Sequence, residues 1–219
     1  KSLCLEKIEE MKSVNNDYYK QLLYVKTLIN FPWPSDNDDL FFKELNSDKV
    51  KRSKYISLIE SKLANLTYGH KEAKQNLLQI VGKWISNPNS GGNVISLVGP
   101  PGVGKTLLAK SIGDALNIPF ARITLGGQND GELLHGHGYT YTGSQPGLIV
   151  KKLCQLKKNR CILYFDELDK ICAKNGNNEI SNILIHLTDP NMNKHFQDRF
   201  FQGIDFPLDK VIIIFSYNN

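Results

Sequence analysis

The sequence predicts an α/β fold in which a central parallel sheet is covered by helices on both faces. Four short runs rich in apolar residues indicate strands, at residues 94–98, 120–125, 161–165 and 211–216. Helical patterns separate these runs, and strands that alternate with helices favour parallel pairing. Because the runs are mostly continuous in apolar residues, we expect the sheet to be buried on both faces. Ligands of such sheets bind at the carboxyl ends of the strands.

Helical patterns occur both before the first strand and between the strands. Apolar residues at helical spacing from Leu3 to about Ile29 predict one or two amphipathic helices. These should end at the Phe-Pro-Trp-Pro stretch of residues 31–34, because proline removes a backbone N–H and disfavours helix at the residue before it. We expect residues 1–66 to form a helical segment and residues 67–219 to form the α/β unit. Later helices are predicted at about 48–66, 70–84, 105–117, 146–156 and 177–187.

Composition and charge place the chain among globular proteins. The 219 residues are 41% hydrophobic, which is enough for a core. No stretch approaches the ~20 continuous apolar residues of a membrane span, so no membrane association is expected. The net charge of +5 is spread along the chain and permits nucleic-acid binding without indicating it. Cysteines 4, 154, 161 and 172 show no C-x-x-C pair, so we expect reduced thiols and an intracellular protein, in the cytoplasm or an organelle matrix.

A glycine-rich loop directly follows the first predicted strand. Residues 99–106 run Gly-Pro-Pro-Gly-Val-Gly-Lys-Thr and match G-x-x-x-x-G-K-[ST], between a strand and a helix as a phosphate-binding loop requires. The glycines let successive N–H groups face one point at the positive end of the helix. Lys105 then reaches the β and γ phosphates, and the Thr106 hydroxyl coordinates Mg²⁺. The predicted nucleotide-binding residues of this loop are Gly99, Pro100, Pro101, Gly102, Val103, Gly104, Lys105, Thr106 and Leu107.

Polar residues at the ends of two other strands extend this candidate site. Asp166 and Glu167 follow the apolar run 161–165. An aspartate there can hold Mg²⁺ through its water shell, and Glu167 can polarise a water for attack on the γ phosphate. Alternatively, the two carboxylates cap the helix that follows. Asn218 follows the last strand, where its amide can orient the attacking water, or where it is an ordinary loop residue.

The segment 126–147 is rich in glycine and polar residues and is too long for a simple connection, which indicates a functional role. Tyr141 lies in its glycine-flanked part, where an aromatic ring on a loop can press against an extended polypeptide. Alternatively, Tyr141 packs on its own loop or on a neighbouring helix. His135 and His137 have no third ligand nearby in sequence, so a metal site is not indicated there.

These motifs resemble those of a known protein family. Residues 99–106 resemble the Walker A motif of AAA+ ATPases, and residues 161–167 resemble their Walker B motif. From about Tyr18 onward the chain more narrowly resembles the Lon family of ATP-dependent proteases. The further matching stretches are Phe31-Pro32-Trp33, Tyr68-Gly69, Thr124-Leu125-Gly126-Gly127, Gly136-His137, Thr140-Tyr141, Gly143, Pro146-Gly147, Asp166-Glu167-Leu168-Asp169-Lys170, Leu187-Thr188-Asp189-Pro190 and Lys210-Val211 leading to Asn218.

The resemblance implies a P-loop AAA+ fold with a three-layer α/β subdomain, preceded by the end of a larger N-terminal region. It also implies an ATP-driven protein-unfolding motor coupled to proteolysis, with ATP and Mg²⁺ as cofactors, polypeptide substrates and a hexameric ring in the complete parent protein. Tyr68 and Gly69 would lie near the adenine, and Asn218 would be the sensor residue. Tyr141 and Thr142 would belong to a substrate-gripping pore loop.

The chain departs from the family pattern in two respects. Gly138 and Tyr139 stand where the family usually has two basic residues, and Thr142 stands where an apolar residue is usual, so grip or substrate preference is expected to differ. The chain ends one residue past Asn218, before the family's fifth strand, arginine finger, helical lid and Ser-Lys protease domain, so we expect the isolated chain to hydrolyse ATP slowly or not at all. Two other functions stay open at this stage: a non-catalytic nucleotide-dependent interaction module and a DNA-remodelling AAA+ ATPase.

Overall fold

A four-stranded parallel sheet forms the centre of the computed structural model, which describes residues 2–11, 18–35, 38–91, 93–128, 130–171 and 179–218. The strand order is β1-β6-β3-β2, and every neighbouring pair is parallel. The carboxyl ends of all four strands therefore meet at one edge of the sheet. A separate antiparallel pair is formed by β4 and β5. The strands are Asn93–Val98 (β1), Phe120–Thr124 (β2), Ile162–Asp166 (β3), Phe196–Gln197 (β4), Asp205–Phe206 (β5) and Ile212–Tyr217 (β6).

Within the described ranges the chain forms nine α-helices. They are Ser2–Glu10 (α1), Tyr18–Asn30 (α2), Leu40–Ser47 (α3), Lys49–Leu66 (α4), Lys71–Ser86 (α5), Lys105–Leu116 (α6), Glu132–His135 (α7), Leu148–Leu156 (α8) and Glu179–Thr188 (α9). The end of α2 precedes Pro32, as the proline argument predicts. Asp48 begins α4, because its carboxylate accepts hydrogen bonds from the backbone N–H groups of Val50 and Lys51. No helix in the described ranges is both long and apolar enough to span a bilayer.

Helices cover both faces of the sheet. On β3, Leu163 and Phe165 join a core with α2, α8 and α9, whereas Ile162 and Tyr164 join a second core with α3, α4, α5 and α6. Successive strand residues enter different cores because side chains alternate across a strand. The predicted parallel α/β architecture is confirmed. The two central strands, β3 and β6, are buried on both faces, whereas buried and exposed residues alternate along the edge strands β1 and β2.

Both cores contain residues from the N-terminal helices. Val25 and Leu28 of α2 lie in the first core, and Ile59 and Leu63 of α4 lie in the second. The N-terminal helices therefore pack directly on the α/β unit. A division of the chain at residue 66 stays a prediction.

The sequence-based prediction does not include two helices, α3 and α7, and two strands, β4 and β5. Each is too short to show a clear period, since α3 has eight residues, α7 has four and the two strands have two each. The helix expected over 177–187 is observed as α9 from Glu179, and residues 177 and 178 lie outside the described residues.

The three cysteines within the described residues are free thiols. Burial raises the pKa of Cys154 to about 11 and that of Cys161 to about 12, so both stay protonated and unreactive at neutral pH. Cys172 lies outside the described residues.

A buried ion cluster joins the loop before α3 to the α/β unit. The Asp39 carboxylate accepts hydrogen bonds from Arg160 Nη2 at 2.7 Å and from Lys210 Nζ at 2.9 Å. Both cations also donate to the carbonyl oxygen of Pro88, at 3.3 and 2.8 Å. Arg160 precedes β3 and Lys210 precedes β6, so this cluster fixes the helical layer to the two central strands.

Candidate nucleotide-binding site

The loop between β1 and α6 folds around the ammonium group of Lys105. Gly102 has φ = 84° and Gly104 has φ = 87°, in the left-handed region that favours glycine. Lys105 Nζ donates to the carbonyl oxygens of Gly99 at 2.6 Å and Pro100 at 3.0 Å. The ammonium therefore lies next to the N-terminus of α6, whose free N–H groups favour anions.

The other predicted residues of this loop lie at its surface. Pro101, Val103 and Leu107 are exposed, and Thr106 is half-buried at the start of α6. The loop is therefore open to solvent on the side away from the sheet.

A chain of side-chain oxygens links α6 to β3 and β6. Thr106 Oγ1 lies 3.0 Å from the hydroxyl oxygen of Tyr164, and that hydroxyl donates to Asp166 Oδ1 at 3.2 Å. The hydroxyl of Ser216 and the backbone N–H of Glu167 donate to the same carboxylate oxygen. The two residues predicted to serve Mg²⁺, Thr106 and Asp166, therefore contact a common tyrosine hydroxyl.

Sequence reasoning did not identify Tyr164 or Ser216 as site residues. The available signal was their spacing, because Tyr164 lies two residues before Asp166 and so on the same face of β3. Ser216 is a hydroxyl residue within an otherwise apolar run. Burial raises the pKa of the Tyr164 hydroxyl, which therefore stays a protonated donor.

The second carboxylate oxygen of Asp166 is paired with Arg122. Arg122 Nη2 lies 2.5 Å from Asp166 Oδ2, because the parallel register of β2 and β3 sets Arg122 beside Tyr164. A Mg²⁺ ion near Asp166 would therefore contact it through bound water or take the place of Arg122. Hydroxyl and carboxylate oxygens are ligands that suit Mg²⁺, so the residues present fit the predicted ion.

Glu167 is held in a narrow space beside the end of β2. Its backbone is left-handed, with φ = 60°, and its side chain makes no helix-capping hydrogen bond. Lys170 Nζ donates to Glu167 Oε1 at 2.6 Å. The carboxylate lies against Gly126, where a Cβ atom would be 2.1 Å from Oε2. The absence of a side chain at Gly126 therefore determines where the Glu167 carboxylate can lie.

Asn218 lies at the end of β6 in direct contact with the loop. Its Oδ1 accepts a hydrogen bond from Lys105 Nζ at 3.0 Å, and its backbone N–H donates to Asp169 Oδ1 at 3.0 Å. The structure therefore brings Lys105, Thr106, Asp166 and Asn218 to the carboxyl edge of the sheet, as the parallel topology predicts.

Tyr68 and Gly69 lie before α5, beside a cavity of about 440 Å³ that Thr67, Lys71 and Lys74 also line. The Tyr68 side chain is fully exposed. A different cavity, of about 520 Å³, adjoins the phosphate-binding loop. It is lined by His70, Lys71, Glu72, Ala73, Asn76, Ile95, Ser96, Leu97, Val98, Val103, Lys105 and Leu108. A contact of Tyr68 or Gly69 with adenine stays a prediction.

Comparison with known proteins agrees with this geometry. Residues 95–219, more than half of the chain, match the family described as ATPase family associated with various cellular activities (AAA). The chain belongs to this AAA family. The predicted membership in the AAA+ ATPases is therefore confirmed.

The AAA chain is similar over its whole length to Lon proteases. It is 46% identical over 221 residues to a Lon protease homolog of Acanthamoeba polyphaga mimivirus, covering 100% of this chain and 22% of that protein. It is 35% identical to a Lon protease of Mycoplasma genitalium, covering 98% of this chain and 25% of that protein. It is 32% identical to the peroxisomal Lon protease homolog 2 of Oryza sativa subsp. indica, covering 98% of this chain and 23% of that protein. The chain thus spans about a quarter of the length of these relatives.

The two tyrosines of the loop between α7 and α8 point in different directions. Tyr139 is half-buried against the first core, with its ring centre 5.7 Å from that of Tyr24 and 5.3 Å from that of Phe200. Tyr141 is 67% exposed, and its ring lies over the position where a Cβ atom at Gly138 would be, at 3.3 Å. Thr142 is exposed beside it. The AAA domain therefore presents one aromatic ring of this loop to solvent.

Two histidines, His135 and His137, lie at the start of this loop. Among the described residues, no group of three or more His, Cys, Asp or Glu side chains is placed to hold a metal ion. His137 Nε2 lies 3.3 Å from Glu132 Oε2. Burial lowers the pKa of His135. His135 and Tyr141 line a shared cavity of about 680 Å³.

Asp198 anchors the base of the loop that carries Tyr141. Its carboxylate accepts hydrogen bonds from the backbone N–H groups of Gly147 at 2.7 Å and Phe200 at 2.9 Å. The backbone packs closely here. A Cβ atom at Gly136 would lie 2.5 Å from Asp198 Oδ1, and one at Gly147 would lie 2.1 Å from a backbone oxygen. The loop is therefore anchored at both ends while its tip is exposed.

The stability of the domain is expected to fall as pH rises from about 4 to about 7 because of Asp198. Burial raises the pKa of Asp198 to about 7, above the ordinary value of 3.8, despite the two N–H donors. Between these two pKa values the folded state binds a proton that the unfolded state has released. The stabilisation from this proton is lost as pH rises through the pKa of Asp198 in the folded state. His135 acts in the opposite sense, since its folded pKa is lowered. Urea unfolding at several pH values should show the Asp198 contribution as the difference between the parent and Asp198→Asn. Identical pH dependence in the two proteins would contradict it.

Proposed function

We propose that the chain is the nucleotide-binding part of a Lon-like AAA+ motor, which uses ATP to unfold polypeptides and is coupled to proteolysis in a longer protein. The observation that carries the proposal is the 3.0 Å contact between Lys105 Nζ and Asn218 Oδ1, next to the Thr106-Tyr164-Asp166 oxygen chain. These groups come from three separate elements and converge at the edge where parallel sheets bind ligands.

Each residue has a role that follows from its chemistry. Bound Mg·ATP supplies a γ phosphate whose charge is partly neutralised. Lys105 would exchange its carbonyl partners for phosphate oxygens, and Thr106 and Asp166 would hold the ion. Glu167 would take the proton of the attacking water as general base, and Asn218 would orient that water.

The wider setting belongs to the same proposal. We infer polypeptide substrates and a homo-hexameric ring in the complete protein, in the cytoplasm or an organelle matrix. Similarity to proteins named Lon protease along the whole chain supports this inference. The exposed ring of Tyr141, on a loop with an anchored base, supports a contact with the polypeptide.

Lys105→Ala is expected to abolish Mg²⁺-dependent ATP binding, because the phosphates lose the cation at the centre of the loop. The measurement is a titration of a fluorescent ATP analogue with Mg²⁺ against the parent chain and the variant. Lys110→Ala, which removes an exposed lysine later in the same helix, is the matched control. Equal affinity of the parent chain and Lys105→Ala would show that the loop does not hold the phosphates.

Gly126→Ala is expected to lower ATP hydrolysis about 10²-fold or more while ATP still binds, because a methyl group there displaces the Glu167 carboxylate. The displaced atoms belong to the end of a flexible side chain, so the melting temperature should change little. Single-turnover hydrolysis and thermal unfolding are measured in the complete protein. Gly82→Ala, where a Cβ atom meets nothing within 4 Å, is the control. Undiminished hydrolysis in Gly126→Ala would exclude this role for Gly126.

A further inference from the structure

We propose that Asp169 is a positioning residue that fixes the side-chain amide of Asn218, with its oxygen and not its amino group toward Lys105 and the phosphate-binding loop. The consequence for catalysis rests on the proposed function. The pairing itself is independent of any nucleotide.

Asp169 engages both the main chain and the side chain of Asn218. It lies in the 3-10 turn Leu168–Lys170 that follows β3, directly across from the end of β6. Its Oδ1 accepts the backbone N–H of Asn218 at 3.0 Å, and its Oδ2 accepts the side-chain Nδ2 at 3.4 Å. These hydrogen bonds hold the pKa of Asp169 below its ordinary value, so the carboxylate is charged at neutral pH.

The chemistry of the two neighbours determines which way the amide faces. Lys105 Nζ carries only donors, and it lies 3.0 Å from Asn218 Oδ1. The Asp169 carboxylate carries only acceptors, and it lies on the Nδ2 side. The reverse orientation would set donor against donor and acceptor against acceptor, so the pair of contacts permits a single orientation.

This orientation restricts what Asn218 can do. With Nδ2 engaged by Asp169, the group that faces the loop is a carbonyl oxygen, which accepts hydrogen bonds from Lys105 or from a water molecule. A carbonyl oxygen only accepts hydrogen bonds, so this atom cannot donate one to a phosphate oxygen. Asn218 therefore acts by orienting a water or the Lys105 ammonium, and Asp169 acts through Asn218 without touching the nucleotide.

The pairing is tested in the nucleotide-free chain by exchanging the two groups. Asn218→Asp alone sets two carboxylates against each other, while its other oxygen stays beside Lys105. Combining it with Asp169→Asn keeps the Lys105 contact and should raise the melting temperature above that of Asn218→Asp alone, because the Asn amino group then donates to the Asp carboxylate while its oxygen accepts the backbone N–H. If the combined variant melts no higher than Asn218→Asp alone, the proposed orientation is wrong.

The consequence is tested in the complete protein by comparing kcat with ATP affinity. Asp169→Asn should lower kcat roughly 10- to 100-fold while the Kd for ATP changes less than about threefold, because positioning of the water is lost and phosphate binding is not. Asp114→Asn, an exposed carboxylate on α6, is the matched control and should change neither quantity. The proposal would be overturned if Asp169→Asn left kcat unchanged, or if the Kd for ATP rose by the same factor by which kcat fell. A parent protein that binds no ATP would instead refute the proposed function, and the exchange experiment would still decide the pairing.

Discussion

Asp39→Ala is expected to lower the free energy of unfolding by about 3 to 5 kcal/mol, the usual cost of removing one partner from a buried ion pair. The variant leaves Arg160 and Lys210 together on the carbonyl oxygen of Pro88, with no carboxylate to balance their charge. Both side chains are nearly buried, with 10% and 12% exposed. Domains of this size are typically stable by only about 5 to 15 kcal/mol, so the change is a large fraction of the total.

Chemical denaturation of the parent chain, Asp39→Ala and Asp38→Ala measures this effect. Asp38 is the neighbouring carboxylate, but it is exposed, so its removal should cost about 1 kcal/mol or less. Burial alone would raise the pKa of Asp39, but hydrogen bonds from Lys210 and Arg160 hold it below its ordinary value. The contribution of Asp39 to the free energy of unfolding is therefore present above about pH 4 and is lost as pH falls through the pKa of Asp39 in the folded state. The difference in the free energy of unfolding between Asp39→Ala and the parent should therefore become smaller in acid. If the free energy of unfolding of Asp39→Ala falls as little as that of Asp38→Ala, the cluster does not stabilise the fold.

The phosphate-binding loop could be predicted because its motif encodes local backbone geometry. The left-handed conformations of Gly102 and Gly104 and the start of a helix at Lys105 follow from neighbours in sequence. The same holds for the long helices and the buried strands, whose apolar periods extend over whole elements.

The contacts that complete the site could not be predicted, because they join residues far apart in sequence. Asp169 and Asn218 are 49 residues apart, and Thr106 and Tyr164 are 58 apart. Their meeting depends on the strand order β1-β6-β3-β2, which sets β6 between β1 and β3. No local pattern marks an arginine on β2 as the partner of a carboxylate on β3, as Arg122 is of Asp166.

The buried cluster around Asp39 was missed for the same reason. Residues 35–39 are all polar, and a polar stretch that follows prolines is typical of an exposed turn. Asp39 is instead 9% exposed, because Arg160, 121 residues later, lies over it. The Arg160 guanidinium also lies 4.8 Å from the ring centres of Phe42 and Trp84, so aromatic residues of α3 and α5 line the cluster.

In the complete protein, Tyr141→Ala is expected to stop ATP-dependent degradation of a folded substrate while short unfolded peptides are still cleaved and ATP affinity is unchanged. The reason is that Tyr141 is exposed on a loop anchored by Asp198 and lines a different cavity from the one that Lys105 lines. An aromatic ring there can press on an extended chain regardless of its sequence, so Tyr141→Phe should preserve degradation. Tyr19→Ala, which removes an 82% exposed tyrosine of α2, controls for the loss of a surface ring. Degradation of the folded substrate by Tyr141→Ala at the parent rate would mean that this ring does not grip the polypeptide, whatever the loop's other roles.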